Sequence, residues 1–175
     1  MTNAARILIF TGDGKGKTTA ALGMALRAAG HAMRTCIVQF IKADSTVGEM
    51  AAARENPMIE ILQVGRGFLP PAGSPEMARH RAAAEEGLRK AAEILSGGQF
   101  RLVILDEVCL AVARELLSEE QVIDVVGRAS PGTCVVLTGR GATDALVALA
   151  DTVTEMRCIK HGMQSGIAAE KGVEW

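Results

Sequence analysis

Aromatic side chains and an excess of charge are both scarce in this sequence of 175 residues. It contains one Trp, four Phe and no Tyr, and its 19 Lys and Arg stand against 20 Asp and Glu, for a net charge of -1. Proteins that bind nucleic acid without sequence preference rely on a basic surface and on aromatic platforms for base stacking. The composition therefore argues against nucleic acid as a partner.

Long apolar runs and paired cysteines are also absent from the sequence. The apolar runs fall well short of the roughly 18 residues that a membrane span needs, and residues 1–6 lack the layout of a signal peptide. The cysteines form no C-x-x-C pair and have no histidine at metal-site spacing; they are Cys36, Cys109, Cys134 and Cys158. We therefore expect a cytoplasmic protein with reduced thiols, no membrane partner and no disulfide or zinc site.

Apolar segments bounded by turn residues alternate with segments of helical spacing along the chain. The predicted strands are residues 6–10, 35–41, 59–64, 101–106, 133–138 and 152–158. Runs such as 102–105 are continuously apolar, which is typical of strands covered by helices on both faces. The pattern predicts one α/β domain over residues 1–175, a three-layer fold whose six-stranded, mostly parallel sheet is flanked by helices.

Capping residues in the sequence predict where two of the helices begin. The longest helix is expected to begin with Ser74 as its N-cap and Pro75 at its first position, and to stop at the glycines after Ser96. Ser118 and Gln121 have the spacing of a capping box, which predicts the start of a later helix.

A glycine-rich turn lies directly after the first predicted strand and directly before a helical segment. Residues 11–19 read Thr-Gly-Asp-Gly-Lys-Gly-Lys-Thr-Thr. In a strand, turn and helix of this kind, backbone N–H groups and the positive end of the helix dipole point at one anion. Thr11 stands where the strict pattern has glycine, so the permissive backbone would come from Gly12, Gly14 and Gly16. The segment predicts a phosphate-binding loop and a P-loop NTPase fold of the RecA-like type.

The side chains of this loop are candidates for binding ATP. Lys17 would reach the outer phosphates, and the Thr18 hydroxyl would ligate a Mg²⁺ that bridges phosphate oxygens. The predicted nucleotide-binding set within the loop is Gly12, Asp13, Gly14, Lys15, Gly16, Lys17, Thr18 and Thr19.

Further polar residues follow two of the buried strands. Asp106 comes after the run 102–105 and would hold the Mg²⁺ or its water shell together with Thr18. The next residue, Glu107, either orients water, as in an ATPase, or hydrogen-bonds a ribose hydroxyl. Arg140 follows the fifth strand and brings a guanidinium suited to phosphate or ribose oxygens to the same sheet edge.

A loop rich in glycine and proline, residues 65–73, carries the apolar side chains of Phe68 and Leu69. Because ligands of parallel sheets bind at the carboxyl ends of the strands, Phe68 either lines a ligand crevice or pins the loop onto the core. The local pattern leaves both interpretations open.

Five blocks of the sequence, taken in order, resemble the ATP:corrinoid adenosyltransferases of the phosphate-loop type. They are residues 10–23, 38–42, 103–107, 137–141 and 150–161, and the terminal residues 171–175 extend the resemblance. It implies a homodimer that transfers the 5′-deoxyadenosyl group of ATP to the Co(I) of a reduced corrinoid and releases tripolyphosphate. The implied substrate is cobalamin or a precursor such as cobyrinic acid a,c-diamide, in adenosylcobalamin synthesis or salvage, with a flavoprotein reductase as electron donor.

The resemblance also implies roles for individual residues. Asp13 and Glu107 would bind ribose, with Arg140 nearby. Lys15 and Lys17 would stabilise the negative charge that grows on the α-phosphate oxygen as the carbon–oxygen bond breaks. ATP would lie in the reverse sense to that in most phosphate-loop enzymes, so that its C5′ carbon faces the cobalt.

Phe68 matches the phenylalanine with which the family displaces the lower axial ligand of the corrinoid, and it joins the two lysines as an expected catalytic residue. Two features depart from the family pattern. Pro70 stands where a well-known branch has Trp, and no helix precedes the first strand to cover the partner's active site, as it does in some members. We therefore expect the corrinoid pocket of this chain to close differently.

Two other functions remain open on the residues alone. The chain could be a P-loop ATPase or small-molecule kinase in which Glu107 activates water or a hydroxyl acceptor, or a nucleotide-gated carrier that delivers adenosylated corrinoid without making it. A GTPase is disfavoured, since no [NT]-K-x-D sequence follows the fifth strand.

Overall fold

The computed structural model describes residues 4–71 and 73–174. Their strands form one sheet in which all pairs are parallel, in the order β3-β2-β4-β5-β1-β6. The strands are β1 (Arg6–Thr11), β2 (Thr35–Gln39), β3 (Ile59–Gln63), β4 (Leu102–Asp106), β5 (Cys134–Thr138) and β6 (Thr152–Glu155). The predicted six-stranded parallel sheet is confirmed, and β5 lies between the strand that leads into the phosphate loop and the strand that ends at Asp106.

Helices cover both faces of this sheet. They are α1 (Lys17–Ala29), α2 (Gly48–Arg54), α3 (Met77–Gly97), α4 (Val108–Ala113), α5 (Glu119–Gly127) and α6 (Asp144–Leu149), followed by a 3₁₀ turn at Gly162–Ser165. On one face, Ala21 and Ala25 of α1 pack against Ile104 of β4. On the other face, the core contains Leu88 of α3 and Val103 of β4. Neighbouring residues of β4 thus enter two separate cores, which explains why its sequence is apolar throughout.

The start of the longest helix differs from the prediction. It begins at Met77 with Glu76 as its N-cap, and the backbone N–H of Met77 donates to the Ser74 carbonyl at 3.0 Å. A turn at residues 74–77 thus precedes the helix, and the buried Ser74 hydroxyl, which was predicted to cap it, has no hydrogen-bond partner. The capping box of α5 is confirmed: Ser118 Oγ accepts from the Gln121 N–H, and the Gln121 side chain accepts from the Ser118 N–H.

The last strand is shorter than predicted, and this changes the setting of one cysteine. β6 ends at Glu155, because the chain then turns toward the phosphate loop, so Cys158 lies beyond the strand. Cys36 and Cys109 are buried, and burial raises the pKa of both thiols to about 12. All four cysteines are free thiols, as predicted.

Neither membrane spans nor metal clusters are found in the part of the chain that the structure describes. Within residues 4–71 and 73–174, no helix is long and apolar enough to cross a membrane. Over the same residues, no group of three or more His, Cys, Asp or Glu side chains is placed to hold a metal ion.

Candidate active site

The phosphate loop joins β1 to α1 and leaves the start of that helix open to an anion. Gly16 is the N-cap residue with a φ of 109°, a left-handed conformation that favours glycine, and no side chain caps the helix. The N–H groups of the first helical turn have no partner within the helix. Together with the helix dipole they form an anion-binding position at the carboxyl edge of the sheet.

The Lys17 side chain is buried beneath this position and folds back onto the loop. Its ammonium donates to the Gly14 carbonyl at 2.5 Å. Burial lowers the pKa of Lys17, and the nearby Glu107 carboxylate opposes that shift. The Lys17 ammonium and the uncapped helix amides therefore offer donors to an anion at this end of the site.

Asp106 connects the phosphate loop to two strands of the sheet. Its Oδ1 accepts hydrogen bonds from the Thr18 and Thr138 hydroxyls, both at 2.8 Å, and its Oδ2 accepts from Gln39 Nε2 at 3.3 Å. Asp106, Gln39 and Thr138 are fully buried. The structure thus brings together the two residues that the sequence predicts as metal ligands, Thr18 and Asp106.

The hydrogen-bond chain continues on both sides of Asp106. Gln63 Nε2 donates to Gln39 Oε1 at 2.9 Å, and Thr138 Oγ1 accepts from the backbone N–H of Glu107 at 2.9 Å. Sequence reasoning missed the roles of Gln39, Gln63 and Thr138. Each is the polar last residue of its strand, directly after two or more apolar residues, and that pattern was the available signal.

Glu107 is held in an unusual conformation directly after β4. Its φ is 62°, a left-handed value that is costly for a residue with a side chain, and its buried Oε2 has no hydrogen-bond partner. Burial and the neighbouring Asp106 raise the pKa of Glu107, whereas Lys17 and Arg140 act in the opposite direction. A strained carboxylate with an unpaired oxygen next to a cavity is typical of a group that binds a ligand.

A cavity of about 510 Å³ lies in front of the phosphate loop. Predicted site residues line it from four parts of the chain: Gly14, Lys15, Gly16, Lys17, Thr18, Thr19, Phe68, Glu107 and Arg140. Gly12 and Asp13 are not part of this lining. The carboxylate of Asp13 instead accepts from the Cys158 backbone N–H at 3.1 Å, and this hydrogen bond is the main cause that lowers its pKa.

Both apolar residues of the loop 65–73 line this cavity. Leu69 also packs against the core, whereas Phe68 is 102% exposed. Of the two interpretations of Phe68, the structure supports the ligand crevice, because its side chain is exposed rather than packed on the core.

Two lysines at the rim of the cavity form ion pairs with carboxylates. Lys15 Nζ lies 2.6 Å from Glu174 Oε1, near the end of the chain. Lys42, which follows β2, also lines the cavity and forms an ion pair with Glu49 at 2.6 Å. Its place in the site was not predicted, although it belongs to one of the five blocks.

Comparisons with known proteins point to one family. The model of the family described as "ATP:corrinoid adenosyltransferase BtuR/CobO/CobP" matches residues 3–175. The corrinoid adenosyltransferase of Pseudomonas aeruginosa is 38% identical over 170 residues, covering 97% of this chain and 83% of the relative. That of Escherichia coli K12 is 36% identical over 169 residues, covering 97% and 85%.

A solved structure supports the fold independently. The KaiC-like protein PH0186 of Pyrococcus horikoshii OT3 superposes with a TM-score of 0.56 at 16% identity, covering 87% of this chain and 71% of that one. This likeness confirms the predicted RecA-like P-loop NTPase fold. By the family model and by its curated relatives, the chain belongs to the ATP:corrinoid adenosyltransferase family and is an enzyme that adenosylates a corrinoid with ATP.

Proposed function

We propose that the chain transfers the 5′-deoxyadenosyl group of ATP to the Co(I) of a reduced corrinoid and releases the three phosphates as tripolyphosphate. One observation carries this proposal: a single cavity has the phosphate loop at one end and the exposed Phe68 at the other. A triphosphate bound to the loop and a large apolar substrate at Phe68 would meet across the ribose.

The phosphate end supplies the stabilisation that this reaction needs. As the bond between C5′ and the α-phosphate oxygen breaks, negative charge grows on the leaving triphosphate. Lys17 and the uncapped amides of α1 are fixed before the reaction and would bind that charge. Lys15 would add its charge at the rim once it leaves Glu174. The attacking electron pair belongs to the cobalt, so no side chain has to act as a base.

The donor set around Asp106 fits Mg²⁺. The Thr18 hydroxyl and the Asp106 carboxylate lie together, and Mg²⁺ binds through one or two protein oxygens plus water and substrate phosphates rather than through a full protein cage. Thr18 and Asp106 would hold the ion. When bound, Mg²⁺ supplies positive charge that neutralises the phosphate oxygens.

Glu107 and Arg140 would bind the ribose. The Oε2 of Glu107 is buried without a partner, and a ribose hydroxyl is a donor that would satisfy it. Arg140 lines the same cavity with its fork of donors. Asp13 stays in the proposed ribose set by the resemblance alone, because its carboxylate accepts from the Cys158 N–H and does not line this cavity.

Phe68 would contact the corrinoid and displace its lower axial ligand. Pro70 follows it in place of the Trp of another branch, so we propose that Phe68 acts here without a second aromatic residue from this loop. Cobalamin and a precursor are both possible substrates. The resemblance further supports a homodimer, a flavoprotein reductase as electron donor, a cytoplasmic location and one domain over residues 1–175.

The proposal is tested with purified protein, ATP, Mg²⁺ and chemically reduced cobalamin. We expect the visible spectrum of Co(I) to be replaced by that of a light-sensitive alkyl-cobalt product, in an amount limited by ATP. Lys17→Ala is the control, because it removes the buried cation without touching the corrinoid end. Formation of ADP and phosphate without corrinoid would instead favour an ATPase or kinase, and corrinoid binding without conversion would favour a carrier.

A further inference from the structure

Residues 170–174, named here the tail turn, fold into a turn beside the phosphate loop. The backbone N–H groups of Val173 and Glu174 both donate to the Glu170 carbonyl, at 3.1 and 2.9 Å. The Glu170 N–H in turn donates to Glu174 Oε2 at 2.8 Å. The turn therefore orients the Glu174 carboxylate and leaves its other oxygen, Oε1, to contact a group outside the turn.

That group is Lys15 of the phosphate loop. The Lys15 ammonium donates to Glu174 Oε1 at 2.6 Å. Lys15 lines both the cavity of about 510 Å³ in front of the phosphate loop and a neighbouring cavity of about 640 Å³, whereas Glu174 lines only the second of these two. The ion pair therefore holds a charge that the proposed function assigns to the triphosphate beside a carboxylate outside the phosphate cavity.

Glu174 borders open space on several sides. It also lines a cavity of about 670 Å³ together with Thr18 and Thr19, and one of about 620 Å³ together with Phe68. A carboxylate in this position can be hydrated as soon as it leaves Lys15. Separation of the ion pair therefore does not strand a buried charge, which would be costly.

The ion pair is also weak enough to exchange with a ligand. The side chains of Lys15 and Glu174 are 50% and 28% exposed, and ion pairs between exposed charges contribute little net stability because water competes for both partners. A triphosphate carries several negative charges and competes well with one carboxylate. Glu174 is tethered next to Lys15, however, so it returns at a high effective concentration whenever the phosphates leave.

We propose that Glu174 is an internal competitor for Lys15. It binds this lysine in the free enzyme, releases it to the triphosphate of ATP, and binds it again as tripolyphosphate leaves. The groups that stabilise the departing triphosphate also bind the product, and a returning carboxylate shortens the time that the product stays bound. This inference rests on the proposed function for the identity of the product, but the competition itself is measured with inorganic tripolyphosphate and without corrinoid.

The test is calorimetric titration of the full chain with inorganic tripolyphosphate. Glu174→Gln keeps the size of the side chain and removes its charge, and we expect the Kd to fall about two- to sixfold, since the competing ion pair is an exposed one. Glu170→Gln is the matched control, because it removes a carboxylate of the same turn that is not the partner of Lys15. Its Kd should stay within about 1.5-fold of the wild-type value. In a Lys15→Ala background, Glu174→Gln should have no more effect than Glu170→Gln.

Fluorescence gives a second measurement, because Trp175 is the single tryptophan of the chain and directly follows Glu174. Saturating tripolyphosphate should change the wild-type emission, with the same Kd as in calorimetry. Unliganded Glu174→Gln should already have the emission of the liganded wild type, and Glu170→Gln should behave like the wild type. In adenosyl transfer, added tripolyphosphate should inhibit Glu174→Gln at about two- to sixfold lower concentration than it inhibits the wild type.

Four results would each overturn the proposal: equal changes of Kd in Glu174→Gln and Glu170→Gln, weaker binding in Glu174→Gln, an effect of Glu174→Gln that persists without Lys15, or an emission that does not change at saturation. Unaltered inhibition of Glu174→Gln by tripolyphosphate would likewise remove its role in product release. If binding and emission behave as expected but no corrinoid is adenosylated, the proposed function fails and the competition for Lys15 stands.

Discussion

At the phosphate end of the cavity, polar side chains from three neighbouring strands are fully buried and hydrogen-bonded to one another, whereas at the opposite end Phe68 is fully exposed on a loop. Asp106 accepts three hydrogen bonds and cannot move without breaking them. The loop is held on either side of Phe68, by Leu69 packed on the core and by the Gly67 N–H bound to the Ile41 carbonyl, while the Phe68 side chain itself is exposed. The comparison teaches that the phosphate end is organised before substrate binds, while the other end needs its substrate to cover it.

The largest effect is expected from removing the charge of Lys17 at the phosphate end of the cavity. Lys17→Ala should reduce the rate of adenosyl transfer by about a thousandfold, because a buried cation aimed at a developing negative charge is lost. Lys15→Ala is the comparison, with an expected loss of about tenfold, because Lys15 is exposed and paired with Glu174. Initial rates with reduced cobalamin measure both. Equal losses in the two variants would show that burial at the phosphate end has no special importance.

A smaller effect is expected at the end of the cavity that carries Phe68. Phe68→Ala should slow adenosyl transfer by about 10- to 100-fold, and it should change neither the Kd for ATP nor the free energy of unfolding by more than about 0.5 kcal/mol. Leu69→Ala is the matched control, and it should destabilise the fold by about 1–3 kcal/mol because Leu69 packs on the core. Chemical denaturation and ATP titration separate the two variants. A large loss of stability in Phe68→Ala would contradict the division of tasks within this loop.

Breaking two hydrogen bonds at the phosphate end of the cavity should mainly affect the stability of the fold. Thr138→Val keeps the shape of the side chain, but Asp106 Oδ1 and the Glu107 N–H each lose a partner. We expect destabilisation by about 1–3 kcal/mol, measured as a fall of about 2–4 °C in Tm per kcal/mol. Thr152→Val, at an exposed position of β6, should change Tm by less than about 1 °C. Similar shifts in both variants would mean that the buried chain of hydrogen bonds is not holding the site.

The smallest effect is expected at Glu107, where burial makes the charged form of the carboxyl group unfavourable. Its pKa in the folded protein is raised above the ordinary value of 4.5, so its ionised form destabilises the fold at neutral pH. Glu107→Gln should therefore raise Tm at pH 7 by up to about 4 °C, and the difference should vanish as the pH falls below the unfolded pKa. A Tm difference that grows toward acid pH would contradict this assignment. The same variant should weaken ATP binding at neutral pH, because the carboxylate proposed to bind ribose is lost.

The parts of the site that were predictable are those encoded by contiguous residues. The loop 11–19 and the pair Asp106 and Glu107 carry their chemistry in local patterns, so their positions followed from the sequence. The hydrogen bonds among Gln39, Gln63 and Thr138 depend on which strands are neighbours, and strand order is not written in any one segment. For the fold, the alternation of apolar runs predicted the parallel sheet, whereas the start of α3 was predicted two residues too early, because a turn over residues 74–77 precedes the helix.

The contact of residues 156–158 with the phosphate loop was missed for a related reason. Residues 152–158 read as one strand, but only four of them pair with β1, and the rest turn to contact the phosphate loop. The glycines of the loop were expected to supply flexible backbone. At Gly14 the structure shows a different need, which is close contact with a segment more than a hundred residues away. Such contacts are visible only once the fold is known.

The central claim is that the phosphate loop binds a triphosphate as a leaving group and presents a ribose carbon to the corrinoid at Phe68. Phosphorus-31 NMR of the products tests it most directly, with ATP, Mg²⁺ and reduced cobalamin present in known amounts. The account predicts one tripolyphosphate for each corrinoid adenosylated, with no ADP formed. ADP and inorganic phosphate appearing in step with turnover, while the corrinoid stays unmodified, would contradict it.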